Sequence, residues 1–163
     1  MRVVVQRVKH AAVEIDGEIV SRIGPGLLCL VGISASDGDK DSETIARKLL
    51  GMRIWQNPES GRPWDQSAPQ MGYELLMVSN FTLYGRLKGN KCDFSRSKGP
   101  AEAKEVYEGL VERVRKAYSP DRVKDGVFGA MMGVSLENDG PVTVLVETSD
   151  GALIDNSGYV SSS

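Results

Sequence analysis

Apolar positions along this chain recur in two periods, and each period predicts a different kind of element. Residues 2–8, RVVVQRV, are dense in valine and predict a strand. Residues 12–23, AVEIDGEIVSRI, alternate apolar and polar around Asp16-Gly17, a dipeptide suited to a type I′ turn, and predict a hairpin. After the break at Gly24-Pro25-Gly26, LLCLVGI at 27–33 is apolar without alternation, as a buried strand is. Helical spacing then takes over. The polar SASDGDKDSE leads into a helix with Asp39 or Asp41 as its candidate cap, and Asp41 and Glu43 suit the positive end of the helix dipole. Ile45, Leu49 and Met52, beside Ala46 and Leu50, form its core face. RIW at 53–55 is a candidate short strand, and 56–70 is expected as a loop with three prolines.

Residues 73–85, YELLMVSNFTLYG, start as a strand, and GRLKGNKCDFSRSKG at 85–99 follows as a loop. The clearest helix covers 100–119: Pro100 suits its first turn, Glu102 and Glu105 suit its dipole, and Val106, Leu110 and Val114 make an apolar stripe that Tyr107, Val111 and Tyr118 adjoin. VFGAMMGVSLE (127–137) and VTVLVET (142–148) predict two more strands, and the last dozen residues are expected to fray. Strands come in groups with two main helices between them. The expected fold is an α+β domain of mixed sheets with the helices packed on one side, covering residues 1–148, with 149–163 as a C-terminal tail.

Composition narrows the class. A chain of 163 residues fits one domain and can bury about 68–70% of its unfolded surface without staples. The net charge of −2 argues against a wholly basic nucleic-acid coat but leaves room for a local patch. Cys29 and Cys92 are far apart and are expected as free thiols of a reducing compartment. No run approaches the length of a membrane span, and MRVVVQRVKH is too short and too charged for a secretory signal, so the expected location is the cytoplasm. There is one histidine, His10, expected near a strand end in an exposed or hydrogen-bonded role. One histidine, two isolated cysteines and no CxxC or HExxH argue against a metal centre, and no cofactor is expected. A hydrolase here would have to work without imidazole or metal.

Three stretches carry candidate chemistry, each open to two readings. VSNFTLYG places Ser79 and Thr82 around Phe81. Either a break in the ladder frees backbone N–H groups for an anion or oxyanion, or this is a polar strand terminus. GRLKGNKCDFSRSKG holds Arg86, Lys88, Lys91, Arg96 and Lys98 against one acid, Asp93, and also carries Phe94. It either meets a phosphate-bearing partner or is a solvated loop. In NDGPVT, Asp139-Gly140 would close a hairpin and put Pro141 at the first position of an edge strand, or the Gly140-Pro141 bond is cis.

Taken together, SNFTLYG, NDGPVT, the opening MRVVVQRV, the KGNK loop and FGAMM occur in an order that resembles the D-aminoacyl-tRNA deacylases over 1–148. The resemblance implies hydrolysis of the ester joining a D-amino acid to the terminal ribose of tRNA, with clearance of glycine from non-cognate tRNA. It also implies an α+β fold with partial barrel character, working as a homodimer. Gly140-Pro141 matches a cis dipeptide that one subunit inserts into the pocket of the other, its two carbonyl oxygens facing the substrate α-amino group. Arg7 matches the arginine that holds this dipeptide. Ser79, Phe81 and Thr82 match the pocket floor, and Phe128 and Met132 match residues against the terminal adenosine. Arg86, Lys88 and Lys91 are the expected tRNA contacts. Two departures stand out: Asn80 replaces the motif's glutamine, and Cys92 stands where proline is common. A tRNA-binding module that lost catalysis is the alternative, with Asn80 as its symptom.

Overall fold

A computed structural model describes residues 1–154. Its elements run β1 (Arg2–Ile15), β2 (Glu18–Ile23), β3 (Gly26–Gly32), α1 (Asp39–Gly51), α2 (Ala68–Met71), β4 (Glu74–Ser79), a 3₁₀ turn (Phe81–Tyr84), β5 (Arg86–Lys88), β6 (Lys91–Asp93), α3 (Pro100–Ala117), β7 (Val123–Asp125), β8 (Gly133–Ser149) and β9 (Ala152–Leu153). Seven strands form one sheet in the order β7-β4-β3-β1-β8-β9, with β2 also on β1. The β3–β4 and β4–β7 pairs are parallel and the others antiparallel.

The long strands give the sheet its shape. The first half of β1 pairs with β3 and its second half with β2, across the expected turn, where Asp16 (φ 51°) and Gly17 (φ 82°) both take the positive φ of a type I′ turn. The sheet therefore rolls over itself and leaves the roll open between β2 and β7, where Lys124 Nζ donates to the Arg22 carbonyl at 2.8 Å. Alternation along β3 and β4 sends Leu27, Cys29, Val31, Leu75 and Met77 to a core shared with α1 and α3, and Leu28, Leu76 and Val78 into the roll against Val13 and Ile23. Each fully buried leucine here contributes about 1.5–3 kcal/mol. Both main helices lie on one face of the sheet. Ile45, Ala46 and Leu49 of α1, and Tyr107, Leu110, Val111 and Val114 of α3, are buried against it.

Several local expectations are corrected. Asp139-Gly140 closes no hairpin. β8 is one strand that pairs with β1 on both sides of Gly140, Gly133 to Asn138 against Glu14 to Val8 and Thr143 to Glu147 against Gln6 to Arg2. The local turn signal loses to the 14-residue ladder that β1 offers. The strand expected at 127–137 begins at Gly133, because a turn around Gly129 (φ 77°) occupies the residues before it. The 85–99 loop contains the β5–β6 hairpin. Gly38, not Asp39 or Asp41, is the N-cap of α1, and Asp41 accepts from the Gly38 N–H at 3.2 Å. His10 lies within β1, not near its end. The expectation of a frayed tail falls largely outside the described residues; before them, β9 pairs with Thr148 and Ser149.

Candidate active site

The first half of the site is built where β4 ends. Ser79 makes the last pair with β3, opposite Val31, and Asn80 N–H donates to the Val31 carbonyl at 2.7 Å before the chain turns off the sheet. The turn can sit on β3 because Gly32 is bare there: a Cβ would lie 2.8 Å from Leu83 Cβ and 3.2 Å from the Asn80 carbonyl oxygen. Asn80 is the N-cap. Its Oδ1 accepts from Thr82 N at 3.2 Å and from Thr82 Oγ1 at 2.5 Å. At the far end Arg2 Nη1 donates to the Leu83 carbonyl at 2.7 Å, its Nη2 pairs with Glu147 at 2.8 Å, and its guanidinium lies over the Tyr84 ring. Ser97 Oγ donates to the Phe81 carbonyl at 2.9 Å.

The N–H groups of Asn80 and Thr82 are engaged, and among the described residues none accepts from Phe81 N–H. Ser79, Phe81 and Thr82 are thus gathered by one turn that exposes a main-chain N–H beside a hydroxyl. Thr82 Oγ1 gives its proton to an amide oxygen, which is no base. The half-buried Tyr84 hydroxyl is pushed well above its ordinary value, chiefly by desolvation and then by Asp37 and Glu147, so it stays neutral.

Phe128 and Met132 lie in the segment after β7. Since β7 runs parallel to β4 and Gly126 N–H donates to the Met77 carbonyl at 2.9 Å, this segment continues past the end of β4 towards the same turn. Phe128 is half-buried, its ring 5.7 Å from that of Tyr107. Met132 is half-buried in the roll.

The second half is the bend in β8. The Gly140-Pro141 bond is cis. Gly140 has φ +124°, and a Cβ there would meet Val142 N at 2.9 Å and Arg7 Nη2 at 3.2 Å, so both backbone and neighbours require glycine. Arg7 Nε donates to the Asp139 carbonyl at 3.3 Å and pairs with its carboxylate at 3.1 Å, while Nη1 donates to the Ile54 carbonyl at 2.5 Å. Asn138, which sequence reasoning missed, replaces the broken ladder: its Nδ2 donates to the carbonyls of Arg7 (2.9 Å) and Val142 (3.0 Å). Its only trace in the sequence is an asparagine two residues before Gly-Pro.

These halves do not meet within one chain. Ser79 is level with Val3 of β1, through Val31, whereas Gly140 falls between the pairs Gln6–Thr143 and Val8–Asn138. Four residues along the strand and three strand spacings across the sheet put them about 20 Å apart. The expected tRNA contacts also divide. Asp93 pairs with Lys88 and, at 3.6 Å, with Arg86. Its carboxyl is held well below the usual range by Lys88 and then by the Ser95 hydroxyl and N–H. Lys91 and Arg96 are exposed with no acidic partner among the described residues. His10 is exposed and lies 3.1 Å from Glu137. Among the described residues no three His, Cys, Asp or Glu converge, and no helix is long and apolar enough to cross a membrane.

Fold and candidate site together define a rolled α+β domain whose candidate functional positions are stretches of presented main chain. Residues 4–147 match the D-Tyr-tRNA(Tyr) deacylase family, and the chain belongs to it. A D-aminoacyl-tRNA deacylase of Dictyostelium discoideum is 45% identical over 150 residues, 92% of this chain and 99% of its own. One of Drosophila melanogaster is 50% identical over 91% of this chain and 92% of its own. Human D-aminoacyl-tRNA deacylase 1 is 45% identical over 91% of this chain and 70% of its own. A solved structure described as c-Myc DNA Unwinding Element Binding Protein has TM-score 0.87 at 45% identity, covering 91% of this chain and 99% of that one. A probable eukaryotic D-amino acid tRNA deacylase shares the fold, with TM-score 0.77 at 21% identity over 88% and 97%.

Proposed function

We propose that this chain hydrolyses the ester between a D-amino acid and the terminal ribose of tRNA, as a homodimer in the cytoplasm, and that it also accepts glycyl esters. Family membership supports the reaction. The observation that carries the mechanism is that the turn after β4 leaves Phe81 N–H without an acceptor among the described residues. In this reading water adds to the ester carbonyl, the developing oxyanion accepts from Phe81 N–H, and the ribose oxygen leaves with a proton, assisted by the neighbouring 2′-hydroxyl. Thr82 and Ser79 position the ester. One oxyanion donor is worth about 2.7–4 kcal/mol in other hydrolases.

Chirality is read by main chain as well. The Gly140 and Pro141 carbonyls of a second copy accept from the substrate ammonium, and Arg7 holds that bend. With ammonium and ester both fixed, one direction remains for Cβ, and an L-substituent would press into backbone; glycine has no Cβ to reject. The separation of about 20 Å within one chain supports a site completed by a second copy. Phe128 and Met132 pack on the adenosine, and Arg86, Lys88 and Lys91 lie towards tRNA phosphates. Asn80 caps its turn and leaves it ordered, which favours turnover over a binding module without catalysis. The test is release of D-tyrosine from D-tyrosyl-tRNA by the purified chain in the presence of a chelator. Binding without release would overturn the proposal.

A further inference from the structure

We propose that Phe81 and Phe94, flanked by Lys91 and Arg96, form a stacking platform for the unpaired nucleotides that precede the terminal adenosine of the substrate tRNA. The inference rests on the proposed function, whose site lies at the same turn. Two observations carry it. Phe81 and Phe94 are both exposed, at 59% and 37%, and meet edge to face with ring centres 5.1 Å apart. The Phe94 ring is held from behind, since a Cβ on Gly85 would lie 2.8 Å from Phe94 Cε1, and the Phe81 backbone is held by Ser97 Oγ. These are fixed aromatic faces turned to solvent, a geometry that costs apolar exposure and that successive bases can cover.

The charges around the pair differ in kind. Arg86 and Lys88 share one carboxylate, Asp93, within the hairpin, so they face a phosphate only as a partly neutralised pair; Asp93 also accepts from Ser95 N and Oγ. Lys91, at the hairpin end, and Arg96, between Phe94 and the serine that holds Phe81, have no acidic partner among the described residues. Two exposed cations within three residues of Phe94 suit a single strand, which presents a phosphate and a base face at every nucleotide. Phe81 also belongs to the turn that presents the oxyanion donor. A strand whose terminal ester sits on that turn must therefore pass these rings.

The experiment compares two substrates, D-tyrosyl-tRNA and the D-tyrosyl ester of adenosine, which has no preceding nucleotide. Phe94→Leu keeps apolar volume but removes the π face. It should lower kcat/KM on the tRNA by about 5- to 150-fold, and on the adenosine ester by less than about twofold. Arg96→Ala should reduce the steepness of log K against log salt for uncharged tRNA by about 0.7. An equal fall on both substrates, no fall on tRNA, or an unchanged salt slope overturns the proposal. So does conversion of Phe94→Leu to a monomer, which would make the pair a contact between copies. If the native chain cleaves neither ester, the proposed function fails separately. Anisotropy with uncharged tRNA then decides the platform, and equal affinity of Phe94→Leu and the native chain overturns it.

Discussion

Asn80 concentrates the chemistry of the site into one side chain. Its Oδ1 takes both the N–H and the hydroxyl of Thr82, and Phe81 N–H is left without an acceptor among the described residues. Removing such a cap costs about 0.5–2 kcal/mol. Asn80→Ala is expected to lower kcat by up to about thirtyfold with little change in KM, read by steady-state hydrolysis. Thr82→Ala, which loses only a hydroxyl whose proton already goes to an amide, should keep most of the native rate. Total loss with intact folding would make Thr82 a nucleophile instead. The two thiols provide a separate check at this scale. Burial pushes the Cys29 thiol up to about 12, while Cys92 is exposed. One thiol should react with a thiol reagent at pH 8 in the native protein and both in denaturant.

At the scale of elements, the bend in β8 is the part that local sequence misdescribes. Asp139-Gly140 carries a strong turn signal, and nothing nearby reveals that both flanks pair with the same long partner. That information lies in β1, about 130 residues away, and in the Asn138 side chain that bridges carbonyls of both strands. The valine-rich strands, the helical stripes and the Asp16-Gly17 turn were legible because each signal is confined to one element. The three-residue strands β5 and β6 were not, since ion pairs to Asp93 hold them and no apolar alternation marks them. The site was legible as an ordered set of motifs; its donor accounting was not, because the polar end of β4 reads equally as an ordinary terminus. Gly140→Ala would force a Cβ against Val142 N at φ +124°. Urea unfolding should show a loss of about 1–3 kcal/mol, and D-aminoacyl-tRNA hydrolysis should be abolished in the protein that stays folded.

On the proposed function, the whole molecule presents one half-site at the end of β4 and the other on the bend of β8, about 20 Å apart by strand spacing. A two-fold pair of chains would complete two sites, each taking its turn from one copy and its bend from the other. Phe81→Pro removes the free N–H at a position where helical turns accept proline, and Gly140→Ala removes the bend. Each variant should be inactive alone. Mixed equally and allowed to exchange, they should recover about a quarter of native activity, since half of the dimers would carry one intact site of two. No recovery after demonstrated exchange would place both halves in one chain. The central claim, that presented main chain reads the hand of the amino acid, is tested most directly by single-turnover hydrolysis of D-tyrosyl-, L-tyrosyl- and glycyl-tRNA by the native protein. The D-tyrosyl and glycyl esters should be cleaved while the L-tyrosyl ester survives on the same timescale; equal rates for the two tyrosyl esters would show that the main chain does not read the hand.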